Sequence, residues 1–280
     1  MKLQQIVAIV LLASLMFGAG LQLDRTSLLA TFRNVGLLAR AVLANFVVVP
    51  AIAFACTYVF RIAQPIAIGL LLMAIAPGVP FVVLSGGRQK GGDHELAVSL
   101  ALLLPAISVL TVPVTADLVL PVDMRGGVPM SHLAGLMLFQ LLPLVAGALV
   151  AGYAPAIARR VARPVSIAML VSLIALLAIV APTIVRSVTM VFGTFGIFAM
   201  LVTTLLSLAA GWLLGGSRVE YRRTLGIATL LRNPALAILI ASTEFQEPLV
   251  SAAVVTYFVV QFVVAVVAST VFGQAAAANP

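Results

Sequence analysis

The chain has 280 residues, of which 63% are hydrophobic and only 9% charged, with a mean hydropathy of +1.23. A soluble fold carries roughly 25% charged residues, so this composition excludes a water-soluble domain, and its continuous rather than alternating apolar runs favour membrane-spanning helices over barrel strands. The net charge of +8 reads as basic cytoplasmic loops rather than nucleic-acid binding, and the single cysteine, Cys56, excludes an intrachain disulfide and a thiolate metal cluster.

Apolar runs long enough to span a bilayer predict nine helices, at about 4–22, 34–60, 66–87, 96–119, 130–152, 164–185, 193–215, 222–243 and 248–273. The first has the charged start and the small-residue end (Gly18-Ala19-Gly20) of a signal peptide, but its apolar run continues through Leu23 and is long enough to span. The tail from Gln274 to Pro280 is small and polar and is expected to lack regular structure.

Alternate loops differ in charge. One set holds Arg25, Arg33, Arg40, Arg88, Lys90, Arg159, Arg160, Arg163, Arg218, Arg222 and Arg223, and the other holds Lys2, Arg61, Arg125 and Arg186, which is eleven basic residues against four. The positive-inside rule places the first set in the cytoplasm. The expected protein is therefore a multi-pass inner-membrane protein with its N-terminus outside and its C-terminus cytoplasmic, an orientation that an odd number of spans requires.

Two spans are interrupted. Pro77, Gly78 and Pro80 stand in the middle of the third, and Asn233-Pro234 in the middle of the eighth. Proline removes a helix donor and clashes with the preceding turn. Paired interruptions at corresponding places in two halves point to a carrier's binding site, with simple proline kinks as the alternative. Beside the second interruption sits Arg232, a charge at mid-span that costs about 2.5–3.5 kcal/mol to insert. Its forked donors suit a carboxylate or sulfonate, or else carbonyls freed at the break. The expected substrate-binding residues are Arg232, Asn233, Pro77, Gly78, Pro234 and Gln261. Most of the other intramembrane polar residues are hydroxyls that bond their own helix, whereas the amides Asn45, Asn233 and Gln261 each need several partners.

Other motifs lack the context their chemistry needs. Leu84 to Gln89 (LSGGRQ) resembles an ABC-ATPase signature, but no phosphate-binding lysine loop accompanies it. The Gly91–Glu95 turn reads as solvated. His94 and His132 fall on opposite membrane sides, so no paired-histidine metal site is expected. Without a nucleophile elbow or an acid–base pair, an enzyme is not expected.

Four segments together resemble the bile acid:sodium symporter family, across residues from about 14 to about 272. They are Met16–Leu23 (MFGAGLQL), Ala44–Pro50 (ANFVVVP), Ala76–Gly78 (APG) and Arg232–Ala237 (RNPALA). The resemblance implies an all-α membrane protein made of inverted repeats, with two broken helices that cross in a core domain beside a panel domain. This chain would lack the first family helix. The expected arrangement is a single transmembrane domain over 1–280, with panel-type helices at about 4–60 (in part) and 130–185 and core-type helices at about 34–120 and 193–273.

The resemblance also implies sodium ligands, and these are largely replaced. Val82 and Val83 stand where the family has serine and asparagine, Ala228 where it has glutamate, and Arg232 where it has glutamine. Asn45 and Ser99 are the candidates for residual ion binding. The expected function is alternating-access transport of a small organic anion, with no cofactor and with sodium independence following from the missing ligands. A degenerate, non-transporting receptor or assembly partner is the alternative. The expected partners are the organic anion and the lipid bilayer, with no nucleic acid.

Overall fold

The computed structural model describes residues 3–23, 34–78, 91–120, 130–186, 195–245 and 247–278. Among these residues the protein is all helix, with one isolated β-bridge. Seven helices are long and apolar enough to cross a membrane. They are α1 (Leu3–Gly20), α2 (Val35–Val59), α4 (His94–Val119), α5 (Met130–Tyr153), α6 (Pro155–Arg186), α7 (Gly196–Leu214) and α10 (Pro248–Ala278). Three shorter helices complete the set: α3 (Gln64–Ile75), α8 (Val219–Leu230) and α9 (Pro234–Glu244).

Seven of the nine predicted spans are thus continuous helices. The eighth is the pair α8 and α9. The third begins as α3 and breaks after Ile75; its remainder, with Pro80, Val82, Val83 and the 84–89 motif, lies outside the described residues. The tail requires a correction. Residues 274–278 continue α10 rather than losing regular structure, because four successive alanines are the strongest helix formers.

The elements pack in two groups. Helix α1 lies along both α5 and α6, while α2, α3, α7, α8, α9 and α10 pack largely among themselves; the groups meet where α1 lies against α9, where α6 lies against α10, and through α4, which touches members of both. At the centre are α3 and α9. Every residue from Ile66 to Ile75 and from Pro234 to Ala241 is buried. A helix that is apolar all round belongs inside protein, and these two short, nearly uncharged helices satisfy that rule. Their neighbours carry the outward apolar residues, such as Leu110, Leu142 and Leu213.

Polar contacts mark the two ends of the bundle. At one end Gln5 Nε2 donates to Ser242 O (2.8 Å), and His132 stands 3.7 Å from Glu244. At the other, Asp93 N donates to Thr224 Oγ1 (2.7 Å) and Arg223 Nη1 to Gly91 O (3.2 Å). Each end joins loops that the charge asymmetry assigns to one membrane side. The Gly91–Glu95 turn is more than a solvated loop, since Asp93 caps α4 by accepting from Leu96 N at 2.8 Å.

Helix α1 meets α5 through glycine. A Cβ on Gly20 would overlap the Leu144 carbonyl oxygen, and one on Gly147 would overlap Phe17 O. With lipid on all sides, close backbone approach is the main source of helix affinity. Gly147→Leu should therefore cost about 1–3 kcal/mol and lower the unfolding midpoint in detergent. Gly135→Ala, which meets nothing within 4 Å on the same helix, should leave the midpoint unchanged; equal effects would remove this contact from the account.

Candidate functional site

The two interruptions are breaks, not kinks. Helix α3 stops at Ile75, and Ala76 is extended (φ −96°, ψ 96°). Helix α8 stops at Leu230, and Leu231 (φ −78°, ψ 121°) and Asn233 (φ −88°, ψ 99°) are extended before α9 begins. By contrast, Pro105 and Pro113 in α4 and Pro143 in α5 leave their helices continuous, so proline alone does not make a break here.

The extended segments meet at an antiparallel bridge between Pro77 and Arg232, and Asn233 N donates to Ala76 O at 2.9 Å. In a pair of this kind the two facing residues direct their own N–H and C=O groups away from each other. Proline is well placed, having no N–H to satisfy. Arg232 does have one, and Gln261 on α10 completes it: Arg232 N donates to Gln261 Oε1 (2.9 Å), and Gln261 Nε2 donates to Arg232 O (3.0 Å). One buried amide side chain thus serves as a third strand. The bridge requires glycine at 78, where a Cβ would run into the Arg232 backbone.

The Arg232 side chain has no exposure at all. Its Nε donates to Met73 O (3.4 Å), Nη1 to Asn45 Oδ1 (2.9 Å), and Nη2 to both Asn45 O (3.1 Å) and Ala74 O. All four acceptors are neutral oxygens. Among the described residues the ion pairs are peripheral, at His132–Glu244 and Arg218–Glu220, so no carboxylate balances this charge.

The sequence frees each of these oxygens. Met73 and Ala74 lie in the last turn of α3, where carbonyls lose their i+4 partners and the helix dipole favours a cation; Met73 O keeps one bond, from Ala76 N at 3.1 Å, and offers Arg232 its second lone pair. Asn45 is the second residue of a π-helical turn, Ala44–Val48, within α2, in which Val49 N–H reaches back to Ala44 O. The next bond in that register would run from residue 50 to Asn45 O. Residue 50 is proline, which has no N–H, so the Asn45 carbonyl is open to Arg232. Asn45 Nδ2 is anchored to Ala41 O at 3.0 Å, which turns its oxygen toward the guanidinium.

Of the residues expected from sequence, Arg232, Asn233, Pro77, Gly78, Gln261 and Asn45 come together here, and Pro234 starts α9. Asn233 Oδ1 caps α9, accepting from Ala235 N (3.1 Å) and Leu236 N (3.2 Å), while its Nδ2 is buried without a partner. Ser99 is buried on α4. Sequence reasoning missed Met73 and Ala74, which act through backbone carbonyls that any side chain could bring. It also missed Tyr257 on α10, fully buried within electrostatic reach of Arg232, its hydroxyl facing Thr204 without meeting hydrogen-bond geometry. A phenol in the middle of an apolar span, four residues before Gln261, was the available signal.

A family profile described as "Sodium Bile acid symporter family" matches residues 9–210. The chain belongs to the sodium bile acid symporter family. It is a multi-pass membrane protein of a transporter family, and the matched segment contains Asn45 and the first break but stops before Arg232. Among curated proteins the symporter-family chain is similar to the human "P3 protein", at 27% identity over 140 residues, 46% of this chain and 28% of that relative. It therefore spans less than a third of that protein's length.

Hydrogen bonds to charged groups contribute about 1.5–3 kcal/mol each. Asn45→Ala, which removes the Oδ1 acceptor, should destabilise the detergent-purified protein by that order. Arg232→Lys should be about as damaging as Arg232→Met, because one ammonium cannot reach the Asn45, Met73 and Ala74 oxygens together. Thermal unfolding checks both, and a lysine variant with the parent's midpoint would show that charge alone suffices.

Proposed function

We propose that this protein is a secondary carrier of a small organic anion that works by alternating access without sodium, Arg232 acting as a tethered cation in place of the ion. The observation that carries this reading is the guanidinium held by four protein oxygens, with no carboxylate, where the two breaks meet. Oxygens from a helix end and a widened turn are the ligands a hard monovalent cation would take. The resemblance to sodium-coupled relatives puts a sodium ligand at this same position.

Magnitudes favour replacement over coexistence. A sodium ion about 4 Å from the guanidinium would be repelled by about 4 kcal/mol at an effective dielectric of about 20, close to a thousandfold in affinity. Ala228 offers no carboxylate to offset that repulsion.

The moving parts in this reading are the α1–α5–α6 group as panel and the remaining helices as core, related to inverted repeats. The membrane is the inner membrane, with the N-terminus outside. In the described conformation Arg232 is turned wholly toward protein, so its positive charge acts on the solute at a distance. Direct contact falls to groups around the crossing, including the Asn233 Nδ2 and Tyr257 hydroxyl donors, which have no hydrogen-bond partner among the described residues, and the backbone at Pro77, Gly78 and Pro234.

The complete burial of Arg232 also favours a second reading, in which the protein is a non-transporting receptor or assembly partner and the arginine only ties the breaks together. Uptake into proteoliposomes separates the two. Radiolabelled bile-acid, carboxylate and sulfonate anions should include at least one that is taken up equally with sodium or potassium outside. Uptake driven by a sodium gradient would overturn the sodium-free mechanism, and folded protein that moves none of these anions would favour the receptor.

A further inference from the structure

A second feature lies well away from the helix breaks. At the end of the bundle that carries the Arg159, Arg160 and Arg163 cluster, α1, α5 and α6 leave a cavity of about 410 Å³. Its polar lining comes from Gln22, Arg159 and Ser166, and no carboxylate is among its lining residues. The cavity opens where α5 passes into α6, with Ala151, Pro155 and Ala158 forming part of the wall; the first α6 N–H groups are spent on Ala154 O, so the positive charge there is that of the arginine. Arg159 is exposed and makes no hydrogen bond or ion pair with any described residue. A guanidinium that has no partner among the described residues and lines a cavity is suited to an anion.

The surface next to the cavity says which kind of anion. Ser166, Leu170 and Ile174 follow one another at four-residue intervals, so they form a single ridge along α6. Leu170 is 52% exposed and Ile174 57%. From Ser166 to Ile174 the ridge runs about 12 Å at the helical rise, most of the half-thickness of a hydrocarbon core about 30 Å across. A soluble anion would use the polar cavity and leave this ridge unoccupied. A phospholipid would use both, with its phosphate at Arg159 and an acyl chain along Leu170 and Ile174.

We propose that this cavity is a binding site for an anionic phospholipid, held by its phosphate through Arg159 and Gln22 and by one acyl chain on the α6 ridge, the Ser166 hydroxyl being spent on Ala162 O at 3.0 Å. The site is independent of the solute pathway. Basic pockets between helices at a membrane surface are a recognised form of lipid headgroup recognition, and a bound lipid would fill the wedge between α1, α5 and α6.

The test is thermal unfolding and native mass spectrometry of the full chain in detergent, with phosphatidylglycerol, cardiolipin or phosphatidylcholine added. The anionic lipids should raise the midpoint and remain bound, and phosphatidylcholine at equal concentration should do so much less. Arg159→Gln should remove most of that preference. Arg218→Ala, an exposed arginine engaged elsewhere with Tyr221, should keep it. If Arg159→Gln does not fold, Ala162→Leu, which fills the cavity without changing charge, should remove the preference instead. Equal response to phosphatidylcholine, equal loss in Arg218→Ala, or reproduction of the full effect by glycerol phosphate alone would each overturn the proposal, the last by identifying a free anion as the ligand.

Discussion

A single interaction organises the centre of this protein, the insertion of the Arg232 guanidinium among oxygens at the end of one broken helix and in one widened turn. A membrane interior supplies no water, so every backbone group freed by a break must find a protein partner. An arginine in the same place must find acceptors or leave the bilayer. Each requirement answers the other. Ala74 O and Asn45 O lack helical partners, Met73 O is shared with the Ala76 N–H that ends α3, and Arg232 has a fork of donors spaced to reach all three. Breaking α3 and α8 without the arginine would strand carbonyls, and burying the arginine without the breaks would strand a charge.

Several remote sequence choices follow from this one constraint. Pro50 matters for the N–H it lacks, which leaves the Asn45 carbonyl of the same helix open to the guanidinium. Gln261 is the side chain that pairs the backbone of Arg232, which Pro77 cannot do. Gly78 is fixed by the closeness of the crossing. Asn233 turns the chain from the bridge into α9 by capping its first turn. The crossing is thus specified by side chains from α2, α9 and α10 and by the end of α3, which explains why the surrounding helices pack so closely on its two short, fully buried segments.

Much of this was legible in the sequence, for physical reasons that differ by feature. Apolar runs must match bilayer thickness, so most long helices could be read off within a few residues, as at 96–119 against His94–Val119, whereas α6 begins at Pro155 rather than at 164 because its first turns carry the Arg159–Arg163 cluster outside the apolar run. Arg232, Asn45 and Gln261 stood out because polar side chains at such depth need partners. What could not be read was the partnership itself. A carbonyl carries no sequence signature, so Met73 and Ala74 were invisible, and nothing in Asn45 alone announces a π turn. The expectation of unstructured sequence after Gln274 failed because polarity and small size were weighed above the helix propensity of alanine. The expected direct contact of Arg232 with solute meets a side chain already committed to protein oxygens, which moves its proposed role from grasping the anion to replacing a cation.

That role is the account's central claim, and sodium binding at equilibrium tests it most directly. A ligand present at a hundred times its dissociation constant stabilises a protein by about 2.7 kcal/mol, well within reach of a thermal unfolding measurement. Purified protein titrated with sodium against potassium at constant ionic strength should unfold at one unchanged midpoint, because the oxygens a sodium ion would use are already occupied by the guanidinium. A saturable rise in the midpoint, specific to sodium and present with Arg232 intact, would contradict it.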